Sequence, residues 1–290
     1  MNPETNQIVK DLSGFTPTWC PGCGNYGIVR SLRLALAEQG LSPDKIFIAF
    51  DIGCSGNMND FLNANSMHTL HGRAVASAIG MKLANHNMPV IVIGGDGGLY
   101  GEGGNHFLHA CRGNHDITMI VHDNMVYGLT TGQVAPTANK GYVSRSTPTG
   151  IIETPVNPLG LAITQGATFV AQTFAGDAKH MTEMIKKAMA HKGMSLVNIL
   201  QPCVTFNKIN TFQYFLSHSY KLDPSHDPTD QKRALELSLE AHKEKFPLGI
   251  LYEVQGVKAY HEELKTLNDK GSLVLQKDPH NLAPIVSMFV

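Results

Sequence analysis

Residues 90–98, VIVIGGDGG, decide the fold. The first five are apolar or glycine, the pattern of a strand buried on both faces of a parallel sheet. The glycines that follow let backbone N–H groups approach a phosphate closely, and Asp96 adds a carboxylate where the strand ends. In open α/β sheets, ligands bind beyond the carboxyl ends of the strands. The segment therefore predicts a parallel sheet with an anion-binding and metal-binding edge.

Short apolar strands alternate with helical stretches on both sides of this segment. The further strands are predicted at residues 45–50, 116–122, 168–174 and 195–200, and the helices at residues 26–39, 73–85, 103–112 and 177–191. Strands separated by helices of this length predict an α/β fold with a doubly wound, mainly parallel sheet covered on both faces.

The composition changes beyond about residue 205, after a loop predicted at residues 128–160. A polar and aromatic stretch leads to a charged helix predicted at residues 229–245 and then to a strand, PLGILYE. We expect residues 1–210 to form the sheet domain and residues 211–290 to form an extension that wraps this domain or a partner.

A second polar group follows the next strand, where Asp123 and Asn124 come directly after residues 116–122. Asp96 and Asn124 would thus offer oxygen ligands from neighbouring strand ends. Mg²⁺ takes about six oxygens and usually shares them with substrate phosphates. Alone, the glycine-rich loop could be a plain turn and Asp96 a helix N-cap. Together, GDG and an Asn at the next strand end are the fingerprint of a thiamine diphosphate site.

A Rossmann dinucleotide site is the nearest competitor, because residues 101–104 (GEGG) are also rich in glycine. That run does not follow a strand in the G-x-G-x-x-G register, and no ribose-binding acid is evident ~20 residues further on. The sequence therefore favours thiamine diphosphate.

Four of the five cysteines are placed for metal chemistry. Cys20 and Cys23 form a Cys-Pro-Gly-Cys knuckle, while Cys54 and Cys203 each follow a predicted strand. A thioredoxin-like dithiol is disfavoured because the knuckle precedes the first strand, and a zinc knuckle would need another close pair. If the knuckle folds over the carboxyl edge, the four thiolates can hold a [4Fe–4S] cluster. Spacing alone leaves open that Cys54 and Cys203 are buried structural residues, and Cys111, inside a predicted helix, is best interpreted as a packing residue.

Charge and targeting signals exclude several classes of protein. The net charge is −1, which argues against a nucleic-acid binder. Only 16% of the residues are charged, against about 25% in a typical domain, which suggests that a partner covers part of the surface. The sequence shows no secretory signal and no apolar run of the roughly 20 residues needed to cross a membrane. We therefore expect a cytoplasmic protein without disulfides.

Five motifs extend this interpretation: TWCPGCGNYGI, DIGCS, MHTLHGRA, GGDGGLYGEGGNH and HDNMVYGLTTGQ. In this order, over residues 16–210, they resemble the β subunit of 2-oxoacid:ferredoxin oxidoreductases. The TWCPGCG start is most similar to the branch that uses 2-oxoglutarate or 2-oxoacids in general.

The resemblance implies specific site residues. Cys20, Cys23, Cys54 and Cys203 match the ligands of one [4Fe–4S] cluster, and Asp96, Asn124 and the carbonyl of Val126 match the ligands of Mg²⁺. The matches to thiamine diphosphate contacts are Ile52, Gly53, Cys54, Ser55, His71, Gly95, Asp96, Gly97, Gly98, Asn124, Val126, Gly128 and Leu129. His71 is also the candidate catalytic residue, although without the resemblance it would be a structural polar residue.

The resemblance also implies a reaction and partners. A 2-oxoacid, with 2-oxoglutarate as the best candidate, would be converted to acyl-CoA and CO₂, with electrons passing through the cluster to ferredoxin, or the reverse carboxylation would run. An α subunit would complete the cofactor site and supply the Glu that activates the cofactor, in an α2β2 assembly. Relatives often have an acid at Gly98 or a basic residue at Asn57, so the 2-oxoacid is left open between 2-oxoglutarate and pyruvate. The alternatives are a non-redox thiamine-dependent lyase or synthase subunit, and a non-enzymatic iron–sulfur or zinc subunit.

Overall fold

The computed structural model describes residues 2–240, 245–276 and 283–288. The strands are β1 (Phe47–Phe50), β2 (Asn65–His68), β3 (Val90–Gly95), β4 (Thr118–Asp123), β5 (Val126–Tyr127), β6 (Gln133–Val134), β7 (Phe169–Phe174), β8 (Ser195–Leu200), β9 (Ser219–Lys221) and β10 (Phe246–Glu253). The α-helices are α1 (Pro3–Asp11), α2 (Asn25–Glu38), α3 (Met58–Phe61), α4 (Ala74–Ala84), α5 (Gly104–Arg112), α6 (Pro158–Thr164), α7 (Ala178–Ala190), α8 (Phe212–His218), α9 (Gln231–Ser238), α10 (Tyr260–Glu263), α11 (Lys265–Lys270) and α12 (Ala283–Val286).

Within the described residues, eight strands form one sheet in the order β2-β1-β3-β4-β8-β7-β10-β9. The first six strands of this order run parallel, while β10 pairs with β7 in the antiparallel direction. The prediction of a mainly parallel α/β sheet is confirmed. The order also places the ends of β1, β3, β4 and β8 side by side, so the loops that follow these strands meet at one edge.

Helices cover the sheet on both faces because both faces of its central strands are apolar. Every residue of β1, β4, β7 and β8 is buried. One face packs against α2 and α7, and the other against α4, α5, α6 and α9. Full burial of each large apolar side chain contributes roughly 1.5–3 kcal/mol to the free energy of folding. The two helical layers therefore stabilise the sheet and hold its edge in a fixed geometry.

Several local predictions differ from the structure. The edge strand β2 was not predicted, because its four residues are all exposed and carry no apolar alternation. The predicted loop at 128–160 contains β6, which pairs with β5. The glycine-rich turn after β3 is helical, with a π-helical turn at Gly97–Glu102 that leads into α5.

The segment beyond residue 210 contributes to the main sheet through β10 and β9. The helix predicted at residues 229–245 is shorter, spanning Gln231–Ser238, and residues 241–244 lie outside the described residues. These strands and this helix do not show where one domain ends and another begins. The division into residues 1–210 and 211–290 stays a prediction about how the chain is organised.

Candidate functional site

A cleft opens at the carboxyl edge of the sheet, between the segments that follow β1, β3 and β4. Its lining residues are Ile52, Gly53, Cys54, Ser55, His71, Gly95, Asp96, Gly97, Gly98, Asn124, Val126, Tyr127, Gly128, Leu129 and Thr130. Every residue predicted to contact the cofactor is in this lining, and Tyr127 and Thr130 are additional. The structure thus brings the predicted cofactor residues together in one cleft.

The backbone after β3 is tightly packed on its inner side. A Cβ atom at Gly97 would overlap Cε1 of Tyr127, and one at Gly98 would lie 3.0 Å from Oδ2 of Asp51. A side chain at Gly97 would therefore displace the ring of Tyr127. Both glycines line the cleft, and a backbone without side chains lets N–H groups approach a phosphate closely.

Asp96 is buried beside a second acid. One of its oxygens, Oδ2, accepts hydrogen bonds from the backbone N–H of Met125 at 3.0 Å and from the hydroxyl of Thr137 at 2.5 Å. The same hydroxyl lies 2.9 Å from Oδ1 of Asp123. Burial, followed by the proximity of Asp123, raises the pKa of Asp96. Two buried carboxyl groups so close together would be stabilised by a divalent cation.

Asn124 reaches the same place from β4. Its Oδ1 accepts a hydrogen bond from the backbone N–H of Val126 at 3.0 Å, and its Nδ2 donates to Oε1 of Gln201 at 3.0 Å. Both ends of the amide are therefore hydrogen-bonded. Asn124 and Val126 both line the cleft. Asp96, Asn124 and Val126 thus line one cleft, and their assignment as Mg²⁺ ligands stays a prediction.

His71 lies over Asp51 at the rim of the cleft. Its Nδ1 is 3.5 Å from Oδ1 of Asp51 and 3.7 Å from Oε2 of Glu102, and it has no hydrogen-bond partner among the described residues. Asp51 is fully buried and accepts hydrogen bonds from the backbone N–H groups of Gly72 at 2.9 Å and Ile52 at 2.6 Å. Burial raises the pKa of Asp51, and these two donors oppose the rise. Asp51 thus anchors the loop that carries His71.

A second cavity, of about 230 Å³, adjoins the cleft. It is lined by Thr18, Trp19, Cys20, Cys23, Cys54, Asn57, Asn124, Gly128, Leu129, Gln201, Cys203, Val204, Thr205 and Phe206. The four cysteines predicted as cluster ligands all belong to this lining. Cys111 is absent from it and is buried within α5, as expected of a packing residue.

Two of the four thiols approach the same residue in the wall of this cavity. A Cβ atom at Gly128 would lie 3.6 Å from the sulfurs of both Cys54 and Cys203. Burial, reinforced by the neighbouring thiols, raises the pKa of Cys23 and of Cys54 to about 11. In the part of the chain that the structure describes, no three His, Cys, Asp or Glu side chains are placed to bind one metal ion.

Trp19 fixes the Cys20–Cys23 knuckle over the sheet edge. Its indole N–H donates to the carbonyl of Cys54 at 2.6 Å, and its ring packs edge-on against Phe61 and Tyr26. The hydroxyl of Tyr26 in turn donates to the carbonyl of Trp19 at 2.8 Å. The knuckle therefore reaches the loop after β1 because one buried aromatic side chain pins it there.

Asp51, Gln201, Trp19 and Tyr127 contribute to the site but were not singled out from the sequence. Asp51 and Gln201 had a usable signal, because each directly follows a buried parallel strand, as Asp96 does. Trp19 and Tyr127 had no sequence signal beyond their positions inside the motifs TWCPGCGNYGI and HDNMVYGLTTGQ.

Two family models match the chain. Residues 51–199 match the C-terminal TPP binding domain of thiamine pyrophosphate enzymes, and residues 203–269 match the C-terminal region of the pyruvate ferredoxin oxidoreductase beta chain. The first covers the strands that form the cleft, from the end of β1 to β8. The second begins at Cys203 and includes β9 and β10.

Curated relatives and solved structures agree with these matches. The 2-oxoacid:ferredoxin oxidoreductase subunit beta of Sulfolobus sp is 44% identical over 270 residues, or 88% of each chain. The 2-oxoglutarate oxidoreductase subunit KorB of Mycobacterium tuberculosis is 43% identical over 208 residues, which is 71% of this chain and 56% of the relative. The structure of 2-oxoglutarate:ferredoxin oxidoreductase from Magnetococcus marinus, with 2-oxoglutarate, coenzyme A and succinyl-CoA bound, superposes with a TM-score of 0.89 at 38% identity. That superposition covers 98% of this chain and 96% of the other.

None of the helices in the described ranges is both long enough and apolar enough to span a membrane.

Proposed function

Because the chain belongs to the family of 2-oxoacid:ferredoxin oxidoreductase β subunits, we propose that it holds thiamine diphosphate, Mg²⁺ and one [4Fe–4S] cluster in an enzyme that oxidises 2-oxoglutarate. The products would be CO₂ and the acyl thioester of coenzyme A, with electrons passing to ferredoxin. The same residues would serve the reverse carboxylation.

One observation carries this proposal: the cofactor cleft and the four-cysteine cavity share a wall. Cys54, Asn124, Gly128 and Leu129 line both. A centre that releases electrons during decarboxylation would therefore lie directly beside a centre that can accept them. A non-redox thiamine enzyme gives no reason for this juxtaposition.

The cleft fits thiamine diphosphate and Mg²⁺. Gly97 and Gly98 line it without side chains, which suits a diphosphate, and Asp96 and Asn124 offer oxygen ligands to a cation. When bound, thiamine diphosphate supplies the electron sink for decarboxylation of the 2-oxoacid. The chain's own residues would bind the diphosphate, hold the Mg²⁺ ligands in place and orient His71, whose free Nδ1 could hold or release a proton at the rim.

The cysteine cavity fits a four-iron cluster better than a single zinc ion. Structural zinc takes four ligands at about 2.0–2.3 Å from one point, so its ligands must converge. A [4Fe–4S] cluster takes one thiolate on each iron, so its ligands must surround a volume. The four cysteines line one cavity of about 230 Å³, a volume that a single zinc ion does not need, which supports the cluster.

We propose that an α subunit lies over the cleft and completes the cofactor site, in an α2β2 assembly in the cytoplasm. The rim of the cleft is apolar as well as exposed: Leu70, beside His71, is 78% exposed, and Met67 and Leu129 are about half exposed. Exposed apolar side chains grouped at the mouth of a site are typical of an interface. The beta-subunit naming of the relatives supports such a partner.

The preference for 2-oxoglutarate is supported by relatives that carry 2-oxoglutarate in their names and by the substrate bound in the Magnetococcus marinus structure. Asn57 lines the cysteine cavity next to the cleft, so it is placed close to the substrate's expected position. Its amide is neutral, and a second substrate carboxylate would therefore need a cation from elsewhere, such as the α subunit.

Electron paramagnetic resonance of the complex with its α subunit tests substrate and mechanism together. The complex would receive one 2-oxoacid at a time with coenzyme A, and the reduced-cluster signal would be recorded. We expect 2-oxoglutarate to reduce the cluster. Reduction by pyruvate alone would contradict the substrate assignment, while colourless, zinc-containing protein would contradict the cluster.

A further inference from the structure

The side-chain amide of Gln201 connects the two halves of the site. Its Oε1 accepts a hydrogen bond from Nδ2 of Asn124 at 3.0 Å, and its Nε2 donates to the sulfur of Cys23 at 3.3 Å. Gln201 is 1% exposed, and its backbone N–H donates to the carbonyl of Asp123 at 2.9 Å. We infer that Gln201 is a positioning residue that orients an Mg²⁺ ligand and sets the reduction potential of the cluster; this rests on the proposed function.

At its oxygen end, Gln201 fixes the orientation of the Asn124 amide together with the backbone N–H of Val126, which donates to Oδ1. Because Nδ2 of Asn124 donates to Gln201, the carbonyl Oδ1 is turned towards Val126 and the cleft. Oxygen is the atom that Mg²⁺ requires, so a flipped amide would present the wrong group. Hydrogen-bond partners that orient metal ligands typically contribute about 10- to 100-fold to metal affinity.

At its nitrogen end, Gln201 places a hydrogen-bond donor on a cluster ligand. Reduction adds negative charge to the cluster and its sulfurs, and an N–H group directed at a sulfur stabilises that charge. Hydrogen bonds to the sulfurs are among the factors that set cluster potentials. Removing the donor destabilises the reduced cluster relative to the oxidised one, so the potential becomes more negative.

The surrounding chain is fitted to this amide. A Cβ atom at Gly24, directly after Cys23, would lie 2.7 Å from Cγ of Gln201 and 3.4 Å from its Nε2. Gly24, the last residue of the CPGCG motif, therefore allows the knuckle to lie against Gln201. Glutamine suits the position because it carries a donor and an acceptor on one short, planar group.

Two substitutions separate the two roles. Gln201→Met removes the hydrogen bonds to Asn124 and Cys23, and a further one from Nε2 to the carbonyl of Pro202 at 3.3 Å, with a side chain of similar length. Gln201→Glu keeps an acceptor for Asn124, loses the N–H donor to Cys23 and adds a negative charge beside its sulfur.

Gln39→Met is the matched control, because Gln39 donates a side-chain hydrogen bond to the carbonyl of Lys186 at 2.7 Å and lines neither the cleft nor the cysteine cavity. All variants would be prepared as the complete complex with the α subunit, without oxygen.

The measurements are the cluster's midpoint potential, from a redox titration followed by electron paramagnetic resonance, and the affinity for thiamine diphosphate and Mg²⁺, from calorimetry. We expect Gln201→Met to shift the potential to a more negative value and to weaken cofactor binding by about 10- to 100-fold. Gln201→Glu should shift the potential in the same direction while keeping most of the affinity, and Gln39→Met should change neither. An unchanged potential in both Gln201 variants would overturn the inference, whereas wild-type complex without cluster or cofactor would overturn the proposed function itself.

Discussion

The indole N–H of Trp19 donates a 2.6 Å hydrogen bond to the carbonyl oxygen of Cys54. This contact joins a knuckle that precedes the first strand to the loop that follows it, and it brings Cys20 and Cys23 to the cavity that Cys54 lines. The proposed set of cluster ligands thus depends on one aromatic side chain outside the set.

Trp19→Phe tests this dependence, because phenylalanine can keep the edge-on packing with Phe61 while losing the N–H donor. Loss of one such hydrogen bond should lower the free energy of unfolding by about 1 kcal/mol. We expect the anaerobically purified variant to lose iron faster than the wild type when exposed to a chelator. Iron and sulfide assays over time would measure the loss, and equal rates would show that the knuckle is held by other contacts.

Gly128→Ala should prevent cluster assembly without unfolding the protein. The added methyl group would lie 3.6 Å from the sulfurs of Cys54 and Cys203, an ordinary contact in the cluster-free chain, but it would project into the volume that a cluster needs. We expect low iron content and a circular dichroism spectrum like that of the wild type. The control is Gly80→Ala on α4, where a Cβ meets nothing within 4 Å. A full iron complement in Gly128→Ala would place the cluster elsewhere.

Asp96→Ala should abolish binding of thiamine diphosphate and Mg²⁺ and leave the iron content intact. Asp96 lines the cofactor cleft and is absent from the lining of the cysteine cavity. Because the substitution also leaves the N–H of Met125 without its acceptor and removes one of the two carboxylates beside the hydroxyl of Thr137, Asp96→Asn is a needed companion that keeps the shape. Calorimetry and iron assays would be run on both. Parallel loss of cofactor and iron would mean that the two sites are not organised separately.

The sequence predicted the site residues that follow central strands. Asp96 and Asn124 are predictable because an apolar strand has an unambiguous end, and parallel strands place their ends at one edge. The positions of Cys54 and Cys203 are predictable for the same reason. The resemblance then supplied His71, which no local pattern distinguishes from a structural histidine.

The roles of Gln201 and Asp51 could not be predicted, although their positions at strand ends could. Both follow buried strands, but their roles depend on partners far away in sequence, such as Cys23 and Asn124 for Gln201. Strand β2 was missed for a different reason. It is an exposed edge strand that forms by backbone pairing with β1, and such a strand does not require the apolar alternation by which strands are recognised in a sequence. Tertiary contacts, which one sequence does not display, decide both cases.

Acid should destabilise the fold partly through His115. Burial lowers the pKa of His115 to about 4, against 6.5 for an ordinary histidine. Between these values the unfolded chain binds more protons than the folded chain, so stability falls as the pH drops from about 6.5 towards 4. His115→Phe keeps a ring against Tyr260, which lies 4.3 Å away between centroids, and should reduce this loss. Thermal unfolding at a series of pH values, with exposed His109→Phe as control, would measure it; identical pH profiles for the two variants would exclude a contribution from His115.

Reversing charge at Lys208 should slow electron transfer to an acidic ferredoxin. Lys208 is exposed, and its ammonium group contacts the carbonyl of Val204, which lines the cysteine cavity. Residues 201–222 contain no Asp or Glu, and neither do residues 124–152, so this side of the cavity offers an acidic partner little repulsion.

We expect Lys208→Glu to raise the KM for a strongly acidic bacterial-type ferredoxin by about five- to tenfold at low ionic strength, because charge at the rim of an interface acts mainly on encounter. The difference from wild type should shrink as salt is added, since salt screens such charges over about 10 Å at 0.1 M. Reduction of methyl viologen by 2-oxoglutarate and coenzyme A should stay unchanged, because a small dye needs no docking surface. Lys232→Glu on α9, outside the acid-free segments, is the matched control. An equal effect of both substitutions would show that the carrier responds to overall charge, and no effect of Lys208→Glu would place the docking surface on another side of the complex.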